Sequence, residues 1–115
     1  MQRTINLSQA ITQKCESIKR RTGDQQKDIS ELRGMLNALS KHCENIQRSK
    51  SAVDASLAKN PRNANALRLN PKIVENIQNT KRLYNTCAEL AVEALEEQYG
   101  EAIATQFRNE IIILR

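Results

Sequence analysis

The sequence contains no tryptophan, and its only aromatic residues are Tyr84, Tyr99 and Phe107. A core therefore has to be built from Leu, Ile, Val and Ala, which is the composition of a helical bundle. The same scarcity leaves few aromatic platforms on which single-stranded nucleic acid can stack its bases. Sequence-specific readout of single strands is not expected.

Cysteine and histidine are too few and too scattered for the sites that they usually form. The three cysteines, Cys15, Cys43 and Cys87, are odd in number and lack a Cys-x-x-Cys pairing, which argues against a disulfide framework and a structural zinc site. His42 is the only histidine, and on a helix its neighbour Cys43 points about 100° away, so the two cannot act together as base and nucleophile. The sequence predicts no metal, no cofactor and a reducing, cytoplasmic location.

Long apolar runs are also absent. Residues 1–10 contain no apolar run of signal-peptide length, and the longest run, Ile111–Leu114, is far too short to span a bilayer. A soluble protein with no membrane role is expected. Isoleucines on every side of a helical turn would be left in water, so Ile111–Leu114 is expected to pack inside the bundle, to be covered by another subunit, or to continue into a longer natural chain.

Catalytic motifs are missing as well. The sequence has no Gly-rich phosphate loop and no Ser-His-Asp arrangement. Glu93, Glu96 and Glu97 form the densest group of carboxylates, but the Glu-x-x-His motif of di-metal bundles is not present, so a solvated helix face explains them better. The protein is predicted not to be an enzyme and to take no small-molecule substrate.

Two helices are predicted in the first half of the chain. The first carries Leu7, Ile11, Cys15 and Ile18 on one face, runs to about Arg21 and ends before a glycine. The second begins near Asp24 and continues to about Lys59, with an internal Gly34 that suggests the close approach of another helix. Its apolar residues alternate in steps of three and four as a heptad seam: Ile29, Leu32, Leu36, Leu39, Cys43 and Ile46.

Asparagine and proline interrupt the pattern in the middle of the chain. Residues 60–65 have the composition of a loop, and Asn70 followed by Pro71 resembles a helix cap and first helical residue. A third helix is therefore predicted from Pro71 to a break at Gly100, and a final helix after it. The 115 residues form one domain, predicted to be an all-α antiparallel bundle of four or five helices. Its predicted core is Leu32, Leu36, Leu39, Ile46, Ile77, Tyr84, Cys87, Leu90, Ile103 and Phe107.

The charge is unevenly distributed along the chain. Between positions 48 and 82 there are eight basic residues against Asp54 and Glu75, whereas residues 83–115 contain six carboxylates against Arg108 and Arg115. If the second and third helices pack antiparallel, the basic residues should meet at a rim around the loop between them. We call these eight residues the basic set: Arg48, Lys50, Lys59, Arg62, Arg68, Lys72, Lys81 and Arg82.

Taken together, the small size, the helical pattern, the net charge of +5 and the lack of catalytic residues give a profile that resembles the small helical subunits of RNA-guided CRISPR effector complexes. In that family several copies line a filament and hold nucleic-acid backbone. The resemblance concerns size, helices and charge over the whole chain, so no residue roles are transferred from the family.

Two functions remain open from the sequence. In the first, the protein is a non-catalytic subunit of a nucleoprotein assembly whose basic set contacts phosphates without reading sequence. In the second, it is an adaptor, chaperone or coiled-coil subunit that binds protein partners or a second copy through its heptad seam and apolar C-terminus. The basic set would then only confer solubility, or pair with the acidic last third within the protein or in an oligomer.

Overall fold

The computed structural model describes residues 2–20 and 23–111, and these residues form four helices and no strands. The helices are α1 (Gln2–Arg20), α2 (Gln25–Lys59), α3 (Ala64–Tyr99) and α4 (Glu101–Glu110). The predicted all-α class is confirmed for this part of the chain. The long second helix is confirmed too, since α2 runs without a break to Lys59.

Side-chain caps fix the starts of the two long helices. The Asp24 carboxylate accepts hydrogen bonds from the backbone N–H groups of Gln26 and Lys27 at 3.0 and 3.3 Å and so begins α2. The Asn63 side chain accepts from the N–H of Ala66 at 3.2 Å and begins α3. At the other end of α3 Gly100 adopts a φ of 99°, a left-handed conformation that separates α3 from α4.

The predicted start of the third helix at Pro71 is wrong. Helix α3 begins seven residues earlier, and Pro71 lies inside it. The ring of Pro71 removes one hydrogen bond, to the carbonyl group of Leu67. Because the Leu67 side chain is 51% exposed, this part of the helix is open to water, which can solvate the carbonyl group that Pro71 leaves unpaired. The connection between α2 and α3 is therefore only residues 60–63.

The buried core lies at one end of the molecule. It consists of residues from α1 and α4, from α2 before residue 44 and from α3 after residue 79. Of the predicted core, four residues are only half-buried: Ile46, Ile77, Leu90 and Ile103. The first two lie outside this end, where α2 and α3 have only each other to pack against.

Helices α2 and α3 pack antiparallel along their length. The Tyr99 hydroxyl donates to Asp28 at 2.6 Å near one end, and the Lys50 ammonium group donates to Asn70 at 2.6 Å near the other. Helix α1 reaches only to the level of His42. Burial lowers the pKa of His42, and the positive charge of Arg3, near the start of α1, lowers it further. Helix α4 ends at the level of Ser40, which lines a small cavity with Ile111.

Residues 45–79 therefore extend beyond α1 and α4 as a two-helix arm, which we call the hairpin. The remaining described residues form the core end. The molecule measures 57 × 24 × 17 Å, and the hairpin accounts for much of its length. Within the hairpin only Ala66 is buried, and the seam residues Ile46, Val53 and Leu57 are half-buried. The apolar run at Ile112–Leu114 lies outside the described residues.

Gly34 does not accommodate a close helix, contrary to the prediction. A Cβ atom built at Gly34 meets no atom within 4 Å, so the residue faces open space in the middle of α2. Gly34→Ala should therefore raise the free energy of unfolding by about 1 kcal/mol, because alanine loses less backbone freedom on folding. Urea denaturation measures the change. Gly100→Ala is the matched control and should destabilise the protein, since its φ of 99° disfavours a side chain; equal effects of the two substitutions would contradict this explanation.

Candidate nucleic-acid interface

The net charge of the protein is concentrated in the hairpin. Residues 45–79 contain six basic and two acidic residues, whereas the rest of the sequence contains twelve basic and eleven acidic residues. Four of the five net positive charges therefore belong to the hairpin, and the rest of the chain is nearly neutral. In the folded chain, the uneven charge of the sequence therefore corresponds to a basic hairpin attached to a core end that is nearly neutral.

Four of the six carboxylates in residues 83–115 form ion pairs with cations at the core end. Glu93 and Glu97 lie 3.7 and 3.6 Å from the ammonium group of Lys19, and Glu89 accepts from Arg108 at 3.1 Å. Glu110 pairs with Arg33. None of these cations belongs to the basic set. The ion pairs named here for the acidic third are thus formed with cations of the core end.

Lys50 faces inward and differs from the rest of the basic set. Its ammonium group lies 2.6 Å from the Asp54 carboxylate and 2.6 Å from the side-chain oxygen of Asn70. Only 27% of the Lys50 side chain is exposed. This contact across the two helices explains why the heptad seam tolerates a charged residue, and it gives Lys50 a structural role. It also identifies the facing sides of the helices, Lys50 on α2 and Asn70 on α3.

Three exposed cations of α2 point away from α3. A helix turns 100° per residue, so Arg48, two positions before Lys50, and Lys59, nine positions after it, lie on the opposite side of α2. Lys41, nine positions before Lys50, lies on the same side, and all three are exposed. We call Lys41, Arg48 and Lys59 the α2 outer stripe. Sequence analysis missed Lys41, although its seven-residue spacing from Arg48 would have indicated it.

Three of the four cations of α3 point away from α2 by the same geometry. Arg68 and Lys72 lie two positions on either side of Asn70, which places them on the far side of α3. Arg82 lies two positions after the buried Thr80, and it too is exposed. We call Arg68, Lys72 and Arg82 the α3 outer stripe. Arg68 also donates to the side chain of Asn65 at 3.4 Å.

Besides Lys50, two residues of the basic set belong to neither stripe. Arg62 lies in the turn at the tip, where its backbone N–H donates to Asn60 at 3.1 Å and its side chain is exposed. Lys81 is half-buried beside α2, and its charge opposes the effect of burial, which raises the pKa of the Cys43 thiol. Lys81 is 18 residues from Asn63, about 27 Å along α3. The basic set therefore does not meet at a rim around the loop, although the helices are antiparallel as the prediction required.

The outer stripes are available for a ligand. Among residues 2–20 and 23–111, Arg48, Lys59, Arg62, Lys72 and Arg82 form no ion pair. Three exposed carboxylates lie beside the stripes: Glu44 on α2, and Glu75 and Glu89 on α3. Glu89, which lines a pocket with Arg82, pairs with Arg108. Apart from this pair, each stripe presents three cations and one carboxylate.

The titratable groups outside the hairpin show no activated nucleophile in the described part of the chain. All three thiols are buried, and burial raises the pKa of Cys15 to about 11, so that it is protonated at neutral pH. Burial lowers the pKa of His42, which is neutral at pH 7. Across the same residues no three metal-binding side chains gather at one place, and no helix has the length and apolar character needed to cross a membrane.

Comparison of the chain with family models, with curated proteins and with solved structures gives no match. The resemblance to small subunits of CRISPR effector complexes stays a prediction. The function is therefore argued from the hairpin itself.

Proposed function

We propose that the protein is a non-catalytic, all-helical subunit of a nucleoprotein assembly and that its hairpin binds nucleic-acid backbone without reading sequence. In this proposal an antiparallel bundle at the core end holds the hairpin in place. The observation that carries the proposal is the concentration of exposed, mostly unpaired cations on an arm with few carboxylates.

Phosphate contact is the recognition mode that suits these side chains. A nucleic acid presents a dense row of phosphates, and a protein gains affinity by releasing the counter-ions that condense on them. Arginine and lysine on the two stripes are exposed. Four of them lie along the hairpin, and Lys41 and Arg82 continue the stripes onto the adjoining turns of α2 and α3. Such a surface follows a backbone rather than enclosing a small ligand.

The aromatic residues support backbone contact over base recognition. Tyr84 and Phe107 are buried at the core end, and Tyr99 is half-buried with its hydroxyl bonded to Asp28. No aromatic residue lies in residues 45–79. The hairpin therefore offers no ring on which a base could stack, and binding should depend little on sequence.

One observation favours the second candidate function, a protein-interaction module. Leu67 and Leu69 are 51% and 42% exposed on the hairpin, and Leu69 lines a shallow groove with Val53 and Ala66. A partner helix could cover these leucines. The heptad seam predicted for that purpose is largely occupied within the chain, because Leu32, Leu36, Leu39 and Cys43 are buried.

A matched pair of charge variants tests the proposal. The hairpin variant Arg48→Gln/Lys59→Gln/Arg68→Gln removes three exposed cations, and it should weaken binding to a random-sequence duplex about tenfold or more at 50 mM salt. Each lost phosphate contact should also reduce the slope of log K against log salt by about 0.9, or nearly 3 for the three substitutions. Fluorescence anisotropy of a labelled duplex across a salt series measures both quantities.

The control is Arg3→Gln/Arg20→Gln/Lys27→Gln, which removes three exposed cations from the core end. Both variants have the same net charge, so a general electrostatic effect would weaken both equally. We expect the control to change affinity less than threefold. Equal losses, or no binding by the unmodified protein at 50 mM salt, would refute the proposal. Binding of a protein partner that is lost in Leu67→Ser/Leu69→Ser but kept in the hairpin charge variant would favour the second function.

A further inference from the structure

We infer that a single hairpin bridges two segments of duplex nucleic acid, one on each outer stripe. The inference rests on the proposed function and goes beyond it, since backbone binding alone requires one contact surface. It follows from the direction of the two stripes. The contact between Lys50 and Asn70 marks the facing sides of α2 and α3, and the stripes lie on the opposite sides of those helices.

The width of the hairpin prevents both stripes from contacting one groove. Each helix with its side chains is about 10 to 12 Å across, and packed helices have axes about 8 to 10 Å apart. The two stripes are therefore separated by about 20 Å. The major groove of a B-form duplex is about 12 Å wide, so its two phosphate walls cannot contact both stripes at once. When one stripe lies against a duplex, the other faces away from it.

The exposed second stripe carries enough charge to hold a second duplex. The α2 outer stripe has Lys41, Arg48 and Lys59 beside Glu44, and the α3 outer stripe has Arg68, Lys72 and Arg82 beside Glu75. The two surfaces thus have the same net charge. A phosphate backbone bound to one stripe neutralises that side only and leaves the other stripe to attract a second backbone.

Charge also identifies nucleic acid, rather than a second copy of the hairpin, as what covers these surfaces. Two hairpins placed stripe to stripe would bring like charges together, which costs free energy. Two duplexes repel each other in the same way, and cations placed between them reduce that repulsion. The hairpin is therefore expected to act as a cationic spacer between duplexes.

A capture experiment with the full chain tests the inference. One random-sequence duplex is attached to beads, a second carries a fluorophore, and protein is added at a concentration that saturates the bead-bound duplex. The unmodified protein should retain the fluorescent duplex on the beads. Two variants each remove one stripe: Lys41→Gln/Arg48→Gln/Lys59→Gln and Arg68→Gln/Lys72→Gln/Arg82→Gln. At concentrations that still saturate the bead-bound duplex, each should capture less than a tenth of the fluorescent duplex retained by the unmodified protein.

A mixture of the two stripe variants distinguishes bridging by one hairpin from bridging by a dimer. If one hairpin makes both contacts, no molecule in the mixture has two intact stripes, and capture stays low. Restored capture would mean that two copies share the task and would overturn the inference. Circular dichroism of the native variants and their urea denaturation midpoints test whether the substitutions leave the fold intact, which is expected for exposed positions.

The outcomes separate this inference from the proposed function. If anisotropy shows that the unmodified protein binds a single duplex but the beads capture no second one, bridging is wrong and backbone binding stands. Capture by either stripe variant at the level of the unmodified protein also contradicts bridging. If the protein binds no duplex in either assay, both proposals fail.

Discussion

Phe107→Ala is expected to lower the free energy of unfolding by about 3 to 5 kcal/mol. Phe107 is 1% exposed and is the largest fully buried side chain. It packs α4 against the core cluster that contains Leu95 and Ala91 of α3. Removing the ring leaves a cavity that the surrounding helices can close only in part. Urea denaturation followed by circular dichroism measures the loss.

The effect should be concentrated in α4. A helix of ten residues is too short to be stable alone. Within residues 2–20 and 23–111 the ion pairs that hold it are the surface pairs of Arg33 with Glu110 and of Arg108 with Glu89, which contribute little. Hydrogen exchange of α4 should therefore accelerate before that of α2. Phe107→Leu, which keeps most of the volume, should cost less than about 1.5 kcal/mol, and Leu67→Ala on the exposed hairpin less than about 0.5. Similar losses in Phe107→Ala and Leu67→Ala would contradict the described packing.

Lys14→Met should destabilise the protein by about 3 kcal/mol. The Lys14 ammonium group lies 3.1 Å from Asp28 and 2.5 Å from Glu31, and the side chains of Lys14 and Asp28 are only 13% and 10% exposed. The substitution removes the ammonium group that faces the mostly buried Asp28 carboxylate, to which the Tyr99 hydroxyl also donates. Removing one member of a buried pair costs far more than removing a surface pair. Thermal and urea denaturation at pH 7 measure the difference.

Lys19→Met is the matched control for Lys14→Met. Both lysines belong to α1 and contact two carboxylates, but Glu93 and Glu97 are 61% and 59% exposed and lie 3.7 and 3.6 Å from Lys19. The control should cost less than about 1 kcal/mol. Equal losses in the two variants would show that burial of the pair contributes nothing.

The pH dependence provides a second measurement on the Lys14 variant. The hydrogen bond to Glu31, opposed in part by burial and assisted by Asp28, raises the pKa of Lys14 above its usual value. Burial and the hydrogen bond to Asp28 raise the pKa of Tyr99 to about 12. Groups with raised pKa values stabilise the folded state below their unfolded pKa and lose that effect as the pH rises. Stability should therefore fall above about pH 9, where the buried thiols, whose pKa values are also raised, begin to lose their contribution. Above about pH 10 the stability of Lys14→Met should fall less steeply than that of the unmodified protein, because Tyr99 and the thiols remain while Lys14 is gone.

Much of the local structure could be predicted from the sequence. The seam of α2, its start near Asp24 and the break at Gly100 are local patterns, and each lies where it was expected. The start of α3 could not be predicted correctly, because Asn70 and Pro71 have the composition of a helix start while the structure uses Asn63 as the cap. In the structure Asn70 instead accepts a hydrogen bond from Lys50, a contact between residues twenty positions apart.

The hairpin could not be predicted because the heptad pattern does not show how many helices cover each part of a seam. Leu39 and Ile46 are seven residues apart and occupy equivalent positions of the α2 pattern, yet Leu39 is buried and Ile46 is half-buried. The difference depends on where α1 and α4 end, which only the folded chain specifies. The candidate site could also be predicted only in part. The sequence was enough to select the basic set by its charge. That five of its residues lie on two opposite stripes follows only from the contact between Lys50 and Asn70 in the folded chain.

Because the core is confined to one end of the molecule, the length of the hairpin can change without changing the contacts that stabilise the fold. Seven residues added to α2 and seven to α3 would preserve the heptad register and lengthen the hairpin by about 10 Å without altering any contact of Phe107 or Lys14. Natural variation or engineering can thus change the reach of the molecule in steps of one heptad. If opposite sides of the hairpin bind two duplexes, its length determines how much of each phosphate backbone it contacts. Its thickness of two helices then sets the distance between the duplexes.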